Sequence, residues 1–329
     1  MGIELIKYKT YDAVRLSNSR YSAVITYGRG CNMVELNDMR NHLALLHYPE
    51  SHEADEYEKS CQRFGSAILF PPNKIRDGIF HWKNRTYDFK SNQLPPAHGI
   101  IKEFPFDIDS SQQSGNEDMI KFRFNSFDSV YHQAFGWHFT CFFTFILSLE
   151  GITQIIEFEN IGDIDIPFGL GFHTAFRIPQ NDSDSHAKED YQIMVSCGKQ
   201  WELDEHGFPT GRLISATHDY NNGYPSPLAA PLAEHLQAAI LPDDRNALPF
   251  HGAKIRNTKT NLELVYETDH KFTNWMIWNK NASDNFICIE PMTCIIDAPN
   301  AKIPEPLHGF TTLKPQEHWE AKNRLYVQS

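Results

Sequence analysis

The chain has 329 residues, 41% of them hydrophobic, with 23 phenylalanines and 13 tyrosines, and a formal charge of −12. That length fits two average domains or one large β domain, and core material is ample. The acidic balance and the lack of any long basic run argue against a nucleic-acid partner, because phosphate binding needs a concentrated positive face.

The opening segment, MGIELIKYKTYDAV, has no continuous apolar stretch of the secretory kind, and Ile6 stands where a myristoylation signal wants Ser or Thr. The most apolar segment, Phe139 to Leu149, is too short to span a bilayer and carries Thr140, Thr144 and Ser148. Six scattered cysteines without a CxxC pair read as buried free thiols of a reducing compartment. The expectation is a soluble cytoplasmic protein, with no membrane contact.

Short alternating segments then follow in order. Tyr21 to Tyr27 and Cys31 to Leu36 read as strands; Asn41 to Tyr48 fits a third strand or a short helix. Glu50 to Lys59 is charged and reads as an exposed loop or short helix. Two prolines, Asn73 and the Asp77-Gly78 pair make Leu69 to Gly78 a turn region. Ile79 to Trp82 and Thr86 to Phe89 form a hairpin around Lys83-Asn84-Arg85. His98-Gly99 follows Pro95-Pro96. In Trp137 to Leu149, Phe139, Cys141, Phe143, Phe145 and Leu147 share one face; Ile152 to Asn160 is its partner, with Glu150-Gly151 as the turn. Such dense β structure predicts a sandwich of large antiparallel sheets.

Pro167 to Phe172 reads as a strand leading to His173, with Gly169, Gly171 and His173 on one face. Glycines there mark open space for a ligand, or a bulge beside a core histidine. Pro231 to Leu241 is the best helix candidate, started by a proline and ended by Pro242. Ile255 to Thr268 reads as a hairpin and Asn274 to Trp278 as an aromatic strand. The last strand, within FICIEPMTCIIDAPN, sets Phe286, Cys288 and Glu290 on one face. Glu290 precedes Pro291, which has no N–H for a ladder and is expected to end regular pairing. Such a breach of strand rules marks either a functional carboxylate or an ordinary strand end.

The groups that can carry chemistry are His98, His173, Glu290 and the Asp243/Asp244 pair, with Asn73, Lys74 and Arg76 as binding groups. A histidine facing a carboxylate across a pocket passes protons both ways near neutral pH. Trp82, Trp137, Trp275 and Trp278 offer either sugar-stacking surfaces or core filling. No HxH, HExxH or cysteine cluster points to a metal, and no GxGxxG, P-loop or GxSxG points to a nucleotide cofactor or a serine nucleophile. No cofactor is expected.

Pro72-Asn73-Lys74-Ile75-Arg76-Asp77-Gly78, His98-Gly99, Gly171-Phe172-His173, Leu203-Asp204 with Phe208-Pro209-Thr210-Gly211, and Ile289-Glu290-Pro291-Met292-Thr293 together resemble the aldose 1-epimerase (galactose mutarotase) family, in its order, from about Arg20 to Arg324. The resemblance implies a mainly β fold, a large antiparallel sandwich with an open sugar cleft, here one domain over residues 1–329. It implies that Glu290 is the general base at the anomeric hydroxyl and His173 the general acid at the ring oxygen. It also implies that His98 binds the sugar, together with an aspartate that falls at Asp243 or its neighbour Asp244. Lys74 stands where the family usually has arginine, losing the planar fork. Thr174-Ala175-Phe176 replaces the common Pro-Tyr-Phe, and no aromatic follows the Asp243-Asp244 region. The reading is an epimerase of an unphosphorylated sugar with an altered preference, as a monomer or homodimer. The alternatives are a non-catalytic sugar-binding protein and a hexose 6-phosphate 1-epimerase, the latter short of basic residues beyond Lys74 and Arg76.

Overall fold

Period-two alternation rich in Phe, Val and Ile favours strands over helices. The computed structural model describes residues 2–71, 73–181, 188–216, 220–225, 236–239, 250–280 and 284–329. Among them, two large antiparallel sheets of twelve and nine strands are joined by two small two-stranded sheets. At the centre of the larger sheet, Ser66–Leu69, Gly171–Arg177, Phe286–Met292 and Asn274–Trp278 lie side by side in that order. The smaller sheet carries the long pair Phe139–Ser148 and Gly151–Asn160, in register from Phe139 opposite Asn160 to Ser148 opposite Gly151.

The core lies between the sheets. Phe139, Cys141, Phe143, Phe145 and Leu147, the expected inner face, are all buried, each large side chain contributing about 1.5–3 kcal/mol. Phe143 meets Phe172 edge-on at 6.3 Å and Phe176 meets Tyr266 at 5.6 Å, joining the two layers. Phe172, Phe176, Ile287 and Ile289 point into this core. Their alternates, His173, Cys288 and Glu290, therefore leave the opposite face of the larger sheet. All six cysteines are free and buried. No described helix is long and apolar enough to cross a membrane.

Three expectations change. Leu236–Ala239, inside the expected helix, is a strand between Lys199–Leu203 and Asn274–Trp278. Hydrogen bonds to strands on both sides replace those a helix would make internally, overriding local propensity. The rest of that segment lies outside the described residues. The strand expected over Pro167 to Phe172 is two: Ile166–Phe168 pairs with Thr311–Leu313, and Gly171–Arg177 enters the large sheet. A Cβ at Gly169 would come 2.6 Å from the Cys294 sulfur, so that glycine admits a core neighbour rather than a ligand. Pro291 does not end its strand, which runs on to Met292 opposite Asn274.

Candidate active site

The ladder between Gly171–Arg177 and Phe286–Met292 pairs Gly171 with Met292 and Ala175 with Cys288, and is open between them. Pro291, which cannot donate, falls in that opening. The same register sets His173 across from Glu290, and cross-strand neighbours on one face touch. His173 Nε2 lies 3.2 Å from Glu290 Oε1. The two groups are thus in contact within one sheet, not facing each other across a pocket. Glu290 is 2% exposed and His173 5%, and Glu290 Oε2 has no hydrogen-bond partner among the described residues.

A cavity of about 190 Å³ opens over this pair, with Asn73, Lys74 and His98 on its wall. Two loops build that wall by clasping each other. The His98 N–H donates to the Asn73 carbonyl at 2.6 Å and the Ile75 N–H to the Pro96 carbonyl at 2.8 Å. Asn73 (φ 54°), His98 (φ 63°) and Gly99 (φ 57°) all adopt left-handed backbone. A Cβ at Gly99 would lie 1.9 Å from the Phe70 oxygen, so only glycine fits. The buried Lys102 ammonium donates to the Gly99 carbonyl at 2.5 Å and the His98 carbonyl at 3.5 Å, bracing that turn. The His98 ring stands edge-on to His173 at 5.6 Å.

Other expected residues are placed differently. Arg76 does not line the cavity: its Nη2 donates to Asp204 Oδ2 at 2.6 Å and its guanidinium lies 4.1 Å over the Phe208 ring. It fastens the hairpin after Leu203 rather than facing a ligand. Asp243 and Asp244 lie outside the described residues. Of the four tryptophans, Trp278 lines the cavity, edge-on to His173 at 5.9 Å. Trp137 and Trp275 are core, and Trp82 packs on Phe310 while its indole N–H donates to Thr312. Sequence reasoning missed Gln62 and Arg63, which reach the wall from the 3-10 turn Cys61–Arg63, together with Gly207, Met276 and Ile296. Nothing local marks them; Arg63 is ion-paired with Glu56 and lies over the Trp278 ring at 5.7 Å.

Burial sets the protonation of the site. It pushes the Glu290 carboxyl well above the usual carboxylate range, and drives His173 well below the usual imidazole range with help from His98 and the cations Arg63 and Lys102. Burial, with Lys102, Lys74 and Arg63, lowers His98 to about 4. Both shifts favour the uncharged forms, a protonated carboxyl beside a neutral imidazole.

The two-sheet antiparallel sandwich, with its histidine–carboxyl pair on the outer face of the large sheet, is similar to solved galactose mutarotase-like folds. The aldose 1-epimerase family model matches residues 12–326, and the chain belongs to that family. A galactose mutarotase-like protein from Clostridium acetobutylicum is 27% identical with a TM-score of 0.90, covering 100% of this chain and 98% of that one. Galactose 1-epimerase from Lactobacillus acidophilus NCFM shares the fold at 12% identity, with a TM-score of 0.74 and coverage of 99% and 98%. An uncharacterised Escherichia coli K12 protein, YihR, is 21% identical over 196 residues, 58% of this chain; the match spans 56% of that relative's length.

Proposed function

We propose that the chain is an aldose 1-epimerase acting on an unphosphorylated hexose or related sugar, with Glu290 as base and His173 as acid. The observation that carries this reading is the 3.2 Å contact of the two groups beneath an open cavity. The anomeric hydroxyl and ring oxygen of a cyclic sugar share one carbon, so two groups in contact with each other reach both. Moving the carboxyl proton from Glu290 to His173 creates a base and an acid at once, without a proton from solvent.

The Glu290 carboxylate then takes the proton of the anomeric hydroxyl. A C1=O bond forms, the bond from C1 to the ring oxygen breaks, and that oxygen takes its proton from His173 Nε2. Rotation about C1–C2 exposes the other carbonyl face, and reclosure runs the transfers backwards to the other anomer. His98, Asn73 and Lys74 hold sugar hydroxyls and Trp278 offers a face to the ring.

One observation favours a second reading, a hexose 6-phosphate: Arg63 joins Lys74 on the cavity wall. Anomer exchange followed by NMR, for free aldoses and their 6-phosphates in parallel, tests both. No acceleration with any of them, alongside measurable sugar affinity, would leave a sugar-binding protein instead.

A further inference from the structure

The sheet that brings His173 to Glu290 brings a third donor with them. Cys288 precedes Glu290 by two residues in one strand, so both side chains leave the same face. An imidazole nitrogen of His173, the Cys288 sulfur and a Glu290 oxygen all lie within 4.8 Å of one another. All three residues are buried, and Glu290 Oε2 has no hydrogen-bond partner among the described residues. The His173 Nε2 to Glu290 Oε1 distance is 3.2 Å. Two ligands bound at about 2.0 Å to a tetrahedral zinc stand roughly 3.3 Å apart.

The geometry points to a binding site for one soft divalent cation of the zinc type, held by His173, Cys288 and Glu290, with its fourth position turned to the cavity. A sulfur, nitrogen and oxygen set suits zinc, which accepts all three and imposes no geometry from its d electrons. The charges also balance. Thiolate and carboxylate cancel the dication, and neutral imidazole adds nothing; the thiol proton and the carboxyl proton leave to solvent. Balance matters in this cavity, because Arg63 and Lys74 line its wall, Lys102 sits behind His98, and His98 faces the pair. A centre with net positive charge would be repelled. No spacing motif marks these ligands, because they come from two strands far apart in the chain. Occupancy takes up both proton-transfer groups, so cation and sugar turnover exclude each other. That last consequence rests on the epimerase reading; binding itself does not.

Metal-free full-length protein, kept reduced, is titrated with Co²⁺ and watched for a thiolate-to-cobalt charge-transfer band in the near ultraviolet. The expected result is saturation at one cobalt per chain, with the band bleached by one equivalent of Zn²⁺. Cys288→Ser removes the band, and Cys294→Ser, at a buried cysteine outside the trio, keeps it. His173→Asn and Glu290→Gln each weaken binding at least about tenfold, and they carry the test should Cys288→Ser not fold. No band at one equivalent in the wild type overturns the site, as does a band that survives Cys288→Ser or undiminished binding in both other variants. Anomer exchange is followed in the same samples. Full-rate exchange at full cobalt occupancy overturns the mutual exclusion and the roles given to His173 and Glu290, whereas a band in a protein without any exchange activity supports the site and counts only against the epimerase reading.

Discussion

Asp297 and Arg76 stand 221 residues apart in the chain and are fastened together in the fold: the Arg76 backbone N–H donates to Asp297 Oδ1 at 3.0 Å. The Asp297 N–H in turn donates to the Lys74 carbonyl at 3.1 Å. The loop presenting Asn73 and Lys74 is thereby held by the segment that follows Glu290. Asp297→Ala is expected to cost about 1–3 kcal/mol in urea unfolding, through buried groups left without partners, and to weaken sugar affinity. Asp297→Asn keeps an acceptor and tolerates the left-handed backbone at φ 55°, so it should lose less. Equal losses in the two variants would argue against the clamp.

In the proposed mechanism one proton passes between Glu290 and His173, so the two act as one unit. Glu290→Gln and His173→Asn should each slow anomer exchange at least about 100-fold. The double variant should be little slower than the worse single one. Polarimetry of a freshly dissolved anomer measures all three, and strictly multiplicative losses would mean that the two groups act independently.

Trp275 and Trp278 sit three residues apart with different expected roles. Trp275 is fully buried in the core, and Trp275→Ala should cost about 3–5 kcal/mol of stability. Trp278 lines the cavity, and Trp278→Ala should weaken sugar binding up to about tenfold, the worth of one aromatic contact. Calorimetric titration and thermal melts of both variants separate the effects; a Trp278 variant with unchanged affinity would remove that residue from the sugar site.

Stability should fall on acidification below about pH 6.5. Burial first, then neighbouring charged or titratable groups, lowers His98 and His251 to about 4 and holds His173 well below the usual imidazole range. In the unfolded chain these rings take up protons near pH 6.5. Between about pH 6.5 and 4 the unfolded state binds more protons, so unfolding becomes easier as pH falls. Glu290, raised by burial, acts in the opposite sense: its contribution is present at low pH and lost as pH rises. His308 is lowered by burial as well, while Glu35 and Asp297 are raised by burial like Glu290. The carboxylates of Asp204, Glu53 and Glu56, held low by their hydrogen-bond partners, also lose their contribution as pH falls. Histidines and paired carboxylates together outnumber the raised carboxyls, and Tm is expected to drop between pH 7 and 4.5, less steeply in His98→Asn. A flat profile would contradict buried neutral histidines.

Much of the fold could be read directly. The alternation in Phe139–Ser148 and the aromatic strand Asn274–Trp278 appear where the sequence puts them, because local patterning and sheet packing agree there. Glu290 before its proline is a misfit in its strand, while His173 beside its glycines fits a ligand site or a core bulge equally well; the sheet makes the two neighbours. What stayed hidden depends on distant chain. Leu236–Ala239 takes its conformation from strands on both sides, not from its own alanines. Arg76 looked like a ligand-binding arginine because Asp204 and Asp297, which occupy it, lie far along the chain. Arg63 reaches the cavity through a turn with no motif of its own.

The histidine–carboxyl pair stands on two central strands, while Gln62, Arg63, Asn73, Lys74, His98 and Gly207 come from turns and loops. Inter-strand spacing, about 4.8 Å in any sheet, fixes the separation of the pair whatever those loops contain. Loops accept substitution and insertion far more readily than the ladder does. Ligand preference can therefore be rewritten loop by loop, in a lineage or in the laboratory, while the histidine–carboxyl pair keeps its geometry.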